Sequence, residues 1–312
     1  MTETRVPVID FAPFLNGDAA ARAAVVDAID GAARQVGFLC LVGHGLPDAR
    51  LEALLRTQRD FFALPDTVKA QAAFRYDDTD ANTSYVAVGK ERLDVKRAPD
   101  LKESFQLREP GLYGDVNLWP EGQDDFRAAA ESFFAAVSDL SMKVLEAFEL
   151  ALGTEPGYFR DRHRTHSQIL RLLHYPPLPA EFRAERGQAR AGGHTDYGSL
   201  TLLFQDDIGG LEVRAVDGQW VSVDPVPGGV VINTGDIMAR WTNDVYRSTL
   251  HRVRLPDNDG AGRARYSIAF FNDPDNDAEI RVLDQCVSED NGCRYPPILT
   301  GDYLVSRRAA SY

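Results

Sequence analysis

The stretch SLTLLFQDDIGGLEVRA, residues 199–215, shows the pattern that decides the fold. It holds two short runs of apolar or β-branched residues, with the turn residues Gly209 and Gly210 between them. Short runs of this kind, bounded by turn residues, are typical of buried strands. The same pattern continues on both sides of the stretch. Further runs occupy residues 169–175, 220–223, 230–233, 248–254 and 265–271.

The chain before about residue 166 has a different character. Apolar residues recur at helical spacing over 18–36, 47–63 and 124–152, whereas 6–10 and 38–42 are typical of short strands. Residues 76–122 look irregular, and 297–312 fit a short closing helix. Many short strands with frequent turns favour a sandwich or jelly roll over a parallel α/β sheet.

We therefore predict an α+β fold with a β-rich core and a helical N-terminal part packed around it. The simplest organisation is one domain over residues 1–312. Its parts are a mainly helical segment (1–165), a jelly-roll core (166–285) and a C-terminal tail (286–312).

Composition limits the class of function. The 312 residues have a net charge of −13, and no basic cluster stands out, so a nucleic-acid partner is not expected. No apolar run reaches transmembrane length, and the first residues lack a signal-peptide pattern. Three widely spaced cysteines are typical of reduced thiols. We expect a cytoplasmic protein without a membrane partner; its oligomeric state stays open.

A candidate metal site is formed by His194, Asp196 and His251. His194 and Asp196 are two residues apart at the entry to a strand-like run, so their side chains would point the same way. His251 lies in another strand-like run. Two neutral imidazoles and one carboxylate suit iron(II) and leave coordination positions open for cosubstrate and O₂.

A second pair of residues strengthens this interpretation. Arg265 and Ser267 form an i, i+2 pair on a β-like run, and a guanidinium beside a hydroxyl can bind a carboxylate. Two interpretations from other classes remain open at this stage. They are a zinc metallohydrolase with the same ligands and a binding module that keeps only the fold.

The whole chain resembles the isopenicillin N synthase-like iron(II)/2-oxoglutarate oxygenases. The resemblance lies in a set of motifs that follow one another in a fixed order. They are VPVID (6–10), GF (37–38), HG (44–45), RLLHYP (171–176), GGHTDYG (192–198), LLFQDDIGGLEV (202–213), NTGD (233–236), TLHRV (249–253) and RYSIAFF (265–271).

This resemblance implies a double-stranded β-helix and an iron(II) centre at His194, Asp196 and His251. It also implies that Arg265 and Ser267 hold the distal carboxylate of 2-oxoglutarate, with Tyr175 near the same end. The expected activity is an O₂-dependent dioxygenase that oxidises, most simply hydroxylates, a C–H bond of a small molecule and releases succinate and CO₂. The presence of Asp196 favours hydroxylation, desaturation or ring closure over halogenation. Within the same family, an iron oxidase or cyclase that uses no 2-oxoglutarate is the alternative.

The substrate residues are predicted from the least regular segment. Long irregular segments are often lids or binding loops, so residues 76–110 are expected to cover the site. Within them Tyr85, Glu91 and Glu103 are candidate substrate contacts, and Tyr197 beside Asp196 is a further one. His44, in a Gly-His-Gly turn, is expected to be structural, and His174 could approach the site.

Overall fold

The computed structural model describes residues 5–73, 84–91, 99–110, 117–164, 167–179, 181–183, 188–256 and 262–311. In these ranges the three cysteines are unpaired. None of the described helices combines the length and the apolarity that crossing a bilayer would need.

Eight strands form the major sheet, and all neighbours are antiparallel except the first pair. They are β1 (Val8–Asp10), β2 (Phe38–Val42), β3 (Ser84–Val86), β4 (Glu103–Arg108), β5 (Ile169–Tyr175), β7 (Leu200–Gln205), β10 (Val230–Thr234) and β12 (Arg265–Asn272). Their spatial order is β1-β2-β10-β7-β12-β5-β4-β3, with β1 parallel to β2. Strands distant in sequence are thus neighbours in space.

A smaller sheet lies against one face of the major sheet. Its strands are β6 (Ala191–His194), β8 (Leu211–Arg214), β9 (Trp220–Ser222) and β11 (His251–Val253), in the order β6-β11-β8-β9. Side chains of the two sheets share apolar clusters, as where Phe38 and Val231 meet Leu211 and Val213. The structure is therefore the predicted jelly roll. A short hairpin, β13 (Glu279–Ile280) with β14 (Ile298–Leu299), is separate from both sheets.

Helices cover the other face of the major sheet. The helices are α1 (Ala12–Asn16), α2 (Ala19–Gln35), α3 (Asp48–Phe62), α4 (Asp66–Lys69), α5 (Asp124–Leu152), α6 (Asp236–Trp241) and α7 (Thr300–Ser311). The long α5 packs Phe133 against Phe204 and Phe134 against Phe270, each pair with ring centroids 5.3 Å apart. Gly153 ends α5 in the left-handed conformation, which glycine adopts without steric cost.

Most predicted elements are present within one or two residues of their expected ends. The irregular interpretation of 76–122 is wrong in part, because β3 and β4 extend the major sheet beyond β5. The predicted strand at 248–254 is shorter, since the Ser248 and Thr249 side chains bond to Asp236 and to the Val36 carbonyl. Helix α6 was not predicted, because Gly235 and Asp236 resemble a simple turn. The assignment of residues 1–165, 166–285 and 286–312 to three parts stays a prediction.

Replacing Phe133 with Ala should destabilise the protein by about 3–5 kcal/mol, because a fully buried ring between α5 and β7 would leave a cavity. Chemical denaturation measures the change. Leu150→Ala is the matched control on the same helix, since Leu150 is half exposed and should shift the free energy of unfolding by less than about 0.5 kcal/mol. An equal loss of unfolding free energy in both variants would contradict the packing of Phe133 between α5 and β7.

Candidate metal centre and cosubstrate site

Strand pairing in the smaller sheet brings the three candidate ligands together. His194 ends β6 and His251 begins β11, and the two residues are direct partners across the antiparallel pair. Their ring centroids are 4.3 Å apart. Asp196 follows in the loop after β6. The expectation that His194 enters a strand is corrected, because it is the last residue of one and Asp196 lies beyond the strand end.

The distances fit a shared metal ion. The Asp196 Oδ1 atom lies 3.7 Å from Nε2 of His194 and 3.7 Å from Nε2 of His251. One ligand atom from each residue lies within 4.8 Å of the other two. Ligands bind first-row divalent metals at about 2.0–2.2 Å, so atoms at this separation can surround one ion. The described residues contain no other group of three or more His, Cys, Asp or Glu with this arrangement.

Hydrogen bonds fix the tautomer of both histidines. Nδ1 of His194 lies 2.8 Å from the Gly192 carbonyl oxygen, and Nδ1 of His251 lies 3.1 Å from that of Thr249. A carbonyl oxygen only accepts, so each Nδ1 carries the proton and donates it. Each Nε2 therefore presents a lone pair toward Asp196. This is the usual orientation of metal-binding histidines.

The carboxylate of Asp196 is oriented in the same way. Its Oδ2 accepts hydrogen bonds from the Thr201 hydroxyl at 2.6 Å and from the Asn233 amide at 2.7 Å. Its Oδ1 is left facing the two imidazoles. Burial alone would raise the pKa of Asp196, but the histidines and these two donors outweigh it, so the pKa lies below its usual value. Burial, with His251 adding to it, lowers the pKa of His194 to about 3. Asp196 is therefore an ionised carboxylate and His194 a neutral imidazole, the forms in which these side chains bind a divalent cation.

The start of α6 holds the loop that contains Asp196. The backbone amides of Gly235 and Asp236 donate to the carbonyls of Ser199 and Asp196 at 3.0 and 2.8 Å. A Cβ on Gly235 would lie 2.3 Å from the Gly198 carbonyl oxygen, so only glycine fits at this approach. On the outer side, Arg307 of α7 bonds Asp236 at 2.9 Å.

A buried guanidinium lies at the other end of the same cavity. Arg265 is 1% exposed and donates to the Gly209 carbonyl, the Ser267 hydroxyl and the Gln205 side chain at 2.7, 3.1 and 3.3 Å. Tyr175 pairs with Arg265 across β5 and β12, and its ring centroid is 4.9 Å from the guanidinium. No carboxylate of the described residues lies within 4.0 Å of Arg265. Because an unbalanced buried cation is costly, this end of the cavity fits an anionic group of a ligand.

One cavity connects the metal ligands to Arg265. Its volume is about 70 Å³. Its walls include residues of both sheets: Phe38, Lys102, Arg171, Leu173, Tyr175, Ala191, Thr201, Leu203, Leu211, Asn233, Val253, Ser267, Ala269 and Phe271, besides the three metal-ligand candidates and Arg265.

The structure places the predicted substrate residues in different regions. Tyr85 and Glu103 lie on the opposite face of the major sheet, where the Tyr85 hydroxyl donates to Glu103 at 2.5 Å and where neither residue lines the metal cavity. Glu91 pairs with Arg171, which does line the cavity. Tyr197 lies beneath Arg307, 5.0 Å from its guanidinium, and does not line the cavity.

The two other histidines considered from the sequence also lie outside the cavity. His44 accepts from the Leu46 amide within its turn at 3.2 Å, as a structural residue would. His174 faces the helices and lies 2.6 Å from Glu103. Of the proposed lid, residues 76–83 and 92–98 lie outside the described part of the chain.

Several cavity residues were missed from the sequence. Arg171 lies four positions before Tyr175, which was predicted, so the strand period places both side chains on the same face of β5. Lys102 precedes β4, which was not predicted, and no local signal pointed to it. Thr201 and Asn233 lie on predicted strands, but their contact with Asp196 depends on tertiary structure.

Two imidazoles and one carboxylate on one side of a cavity in a jelly roll, with a buried cation opposite, define a mononuclear non-haem iron oxygenase. The sequence model of the 2OG-Fe(II) oxygenase superfamily matches residues 166–274. A second sequence model, described as the N-terminal part of the non-haem dioxygenase in morphine synthesis, matches residues 6–122.

Individual relatives agree with these matches. The chain is 33% identical to the 2-oxoglutarate-Fe(II) type oxidoreductase hxnY of Emericella nidulans, over 100% of this chain and 92% of that one. It is 33% identical to homoarginine-6-hydroxylase 2-ODD-233 of Oryza sativa subsp. japonica, over 91% and 88%. A full-length Neurospora crassa protein, crystallised in complex with alpha-KG and thymine, is 36% identical. The match covers 98% of this chain and 97% of that one, with a TM-score of 0.89.

The chain belongs to the iron(II)- and 2-oxoglutarate-dependent oxygenase family. It is a 2-oxoglutarate-dependent non-haem iron dioxygenase, with Fe(II) as cofactor and 2-oxoglutarate and O₂ as cosubstrates. The family, the fold and the cofactors predicted from the sequence are thereby confirmed.

Replacing Thr201 with Val should weaken Fe(II) binding about 10- to 100-fold, because groups that orient metal ligands contribute on this scale. Anaerobic titration with Fe(II) measures the affinity. Thr57→Val is the matched control, since it also removes a buried hydroxyl, but one bonded only to backbone carbonyls within α3. An unchanged affinity in Thr201→Val would show that the hydroxyl does not orient Asp196.

Proposed function

We propose that His194, Asp196 and His251 hold Fe(II), and that Arg265 and Ser267, beside Tyr175, bind the distal carboxylate of 2-oxoglutarate. The reaction is hydroxylation of a C–H bond in a small molecule. One atom of O₂ enters the alcohol and the other enters succinate, while 2-oxoglutarate loses CO₂. The observation that carries this proposal is the buried Arg265, which lacks a described carboxylate partner and lies in the cavity that the metal ligands also line.

The chain contributes geometry and electrostatics to this reaction. The three ligands lie on one side of the cavity, so they would hold a metal ion that remains accessible to ligands in the cavity. Bound iron supplies the activation of O₂ and the oxidising power for C–H cleavage. Arg265 orients the dicarboxylate through charge-assisted hydrogen bonds, with Ser267 at its side. The apolar walls, among them Leu173, Leu203 and Phe271, exclude water from the reacting centre.

The competing interpretations explain fewer of these contacts. A metallohydrolase would have no need for a buried guanidinium facing its metal across the cavity. An iron oxidase that uses no 2-oxoglutarate would form no succinate, so succinate formation distinguishes it. A binding module would be expected to lose a metal ligand, and all three are in place with their supporting hydrogen bonds. Asp196 also argues against halogenation, because a halide would need the position that its carboxylate takes.

We propose that the substrate is a small, free molecule. The Neurospora crassa protein is crystallised with thymine, and homoarginine and proline hydroxylases are among the relatives. The acidic net charge opposes a nucleic-acid partner, and the three unpaired cysteines support a cytoplasmic location. The first test is formation of succinate from 2-oxoglutarate by the purified chain with Fe(II) under air.

His251→Ala should abolish succinate formation and most of the Fe(II) binding, because the remaining two ligands hold a divalent ion weakly. Metal content after anaerobic loading and succinate release measure the two effects. His44→Ala is the control histidine, since it lies in a turn away from the cavity. Full turnover in His251→Ala would overturn the assignment of the metal site.

Arg265→Ala should raise the KM for 2-oxoglutarate roughly 10- to 100-fold or more, because a charge-assisted hydrogen bond contributes on the order of 1.5–3 kcal/mol. Ser267→Ala should raise it less, since it removes one neutral hydroxyl. Initial rates at varied concentrations of 2-oxoglutarate measure the KM of both variants. If KM in Arg265→Ala equals that of the unaltered enzyme, the cosubstrate binds elsewhere.

A further inference from the structure

A second buried guanidinium lies beside the Arg265 end of the metal cavity. It belongs to Arg190, the residue before β6, which is 1% exposed. Its Nη2 atom donates to the Arg263 carbonyl at 3.0 Å and to the Pro176 carbonyl at 3.4 Å, and its Nε has no hydrogen-bond partner. No carboxylate of the described residues lies within 4.0 Å of Arg190. Arg190 is thus a buried cation that is hydrogen-bonded to neutral oxygens.

The two carbonyls belong to the strand ends that present the carboxylate-binding residues. Pro176 directly follows Tyr175 at the end of β5, and Arg263 lies two residues before Arg265, the first residue of β12. Tyr175 and Arg265 are direct partners across these two strands. The Arg190 guanidinium therefore lies at the strand ends where Tyr175 and Arg265 meet, although Arg190 does not itself line the cavity.

The two guanidinium groups are close enough to repel each other. Burial and then the positive charge of Arg265 lower the pKa of Arg190, with Asp206 among the groups that oppose them. Both arginines nevertheless stay protonated at neutral pH. The Asp206 carboxylate accepts from two backbone amides and lies more than 4.0 Å from both guanidinium groups. Two like charges buried together are costly until an anion comes between or beside them.

A purely structural role for Arg190 would leave its charge unexplained. A neutral amide side chain could also donate to the Arg263 and Pro176 carbonyls, and it would avoid burying a second cation near Arg265. The anion that the proposed cosubstrate site brings to this place is the distal carboxylate of 2-oxoglutarate. A nearby cation stabilises such a carboxylate without touching it, because Coulomb attraction acts over several ångströms in a buried site.

We propose, on the basis of the cosubstrate site proposed above, that Arg190 is a positioning residue for 2-oxoglutarate. Its positive charge attracts the distal carboxylate and makes the enzyme select keto acids that carry a second carboxylate. Arg265 makes the direct hydrogen bonds, whereas Arg190 acts through its electric field. The contribution of Arg190 is therefore smaller than that of Arg265, and it is restricted to ligands that have a distal carboxylate.

The first experiment measures binding and not turnover. The purified chain, loaded with Fe(II) in the absence of O₂, is titrated calorimetrically with 2-oxoglutarate and with 2-oxopentanoate, in which a methyl group replaces the distal carboxylate. Arg190→Gln keeps a hydrogen-bond donor but removes the charge. It should weaken 2-oxoglutarate binding about 3- to 10-fold, the scale of a charge acting across several ångströms of protein. It should leave the dissociation constant of 2-oxopentanoate unchanged.

A second variant separates charge from shape. Arg190→Lys keeps the positive charge but loses the planar guanidinium, so it should bind 2-oxoglutarate within about twofold of the unaltered protein. Arg162→Gln is the matched control, because the Arg162 guanidinium also donates to a backbone carbonyl, that of Tyr158 at 2.8 Å. Neither Arg162 nor Tyr158 lines the cavity, so this variant should leave both dissociation constants unchanged.

Three results would overturn the inference. They are an unchanged 2-oxoglutarate affinity in Arg190→Gln, an equal weakening of both keto acids, and an equal loss in Arg190→Gln and Arg190→Lys. The last two would show that Arg190 only holds the ends of β5 and β12. Arg190→Met replaces Arg190→Gln if that variant does not fold. Failure of the proposed cosubstrate site looks different, because Arg265→Ala would then bind 2-oxoglutarate as tightly as the unaltered protein does.

Discussion

The pairing of β6 with β11 is the interaction on which the site depends. It sets His194 opposite His251, and the loop that leaves β6 then brings Asp196 to both imidazoles. Everything else at the centre supports this arrangement. The Gly192 and Thr249 carbonyls fix the imidazoles, and the first residues of α6 hold the loop. Because each support comes from a different part of the fold, the centre is rigid only when both sheets are complete.

The major sheet separates two polar clusters with different roles. Along β5, Arg171 and Tyr175 face the metal cavity, while His174 faces the helices. Around β4, Lys102 faces the cavity and Glu103 the helices. On the helix side, Glu103 accepts from Lys69, Tyr85 and His174, which ties α4, β3 and β5 to β4. That cluster fixes the strand, and the strand in turn places Lys102 beside the metal ligands.

The sequence predicted the elements whose signal is local. Strands β5 and β2 were predicted with their observed ends, and α5 likewise, because apolar periodicity and flanking turn residues specify them. Strand β4 was missed because four of its six residues, ESFQLR, are polar, although Glu103, Ser104 and Gln106 are buried. The metal ligands were predicted because their spacing is distinctive. The positions of Tyr85 and Glu103, on the face away from the metal, could not be predicted because nothing local indicates which face of an unpredicted strand turns toward the metal.

Strand β12 lies between β7 and β5 in the middle of the major sheet, yet it is the last of the eight strands in the chain. A ribosome that has reached Val253 has already made all three metal ligands. The two halves of the sheet that must enclose them cannot join until residues 265–272 have emerged and paired on both sides. Non-local pairing of this kind completes late in folding. The growing polypeptide therefore contains a full set of ligands before it has the enclosure that holds them in place, so we expect tight iron binding only once the chain is finished.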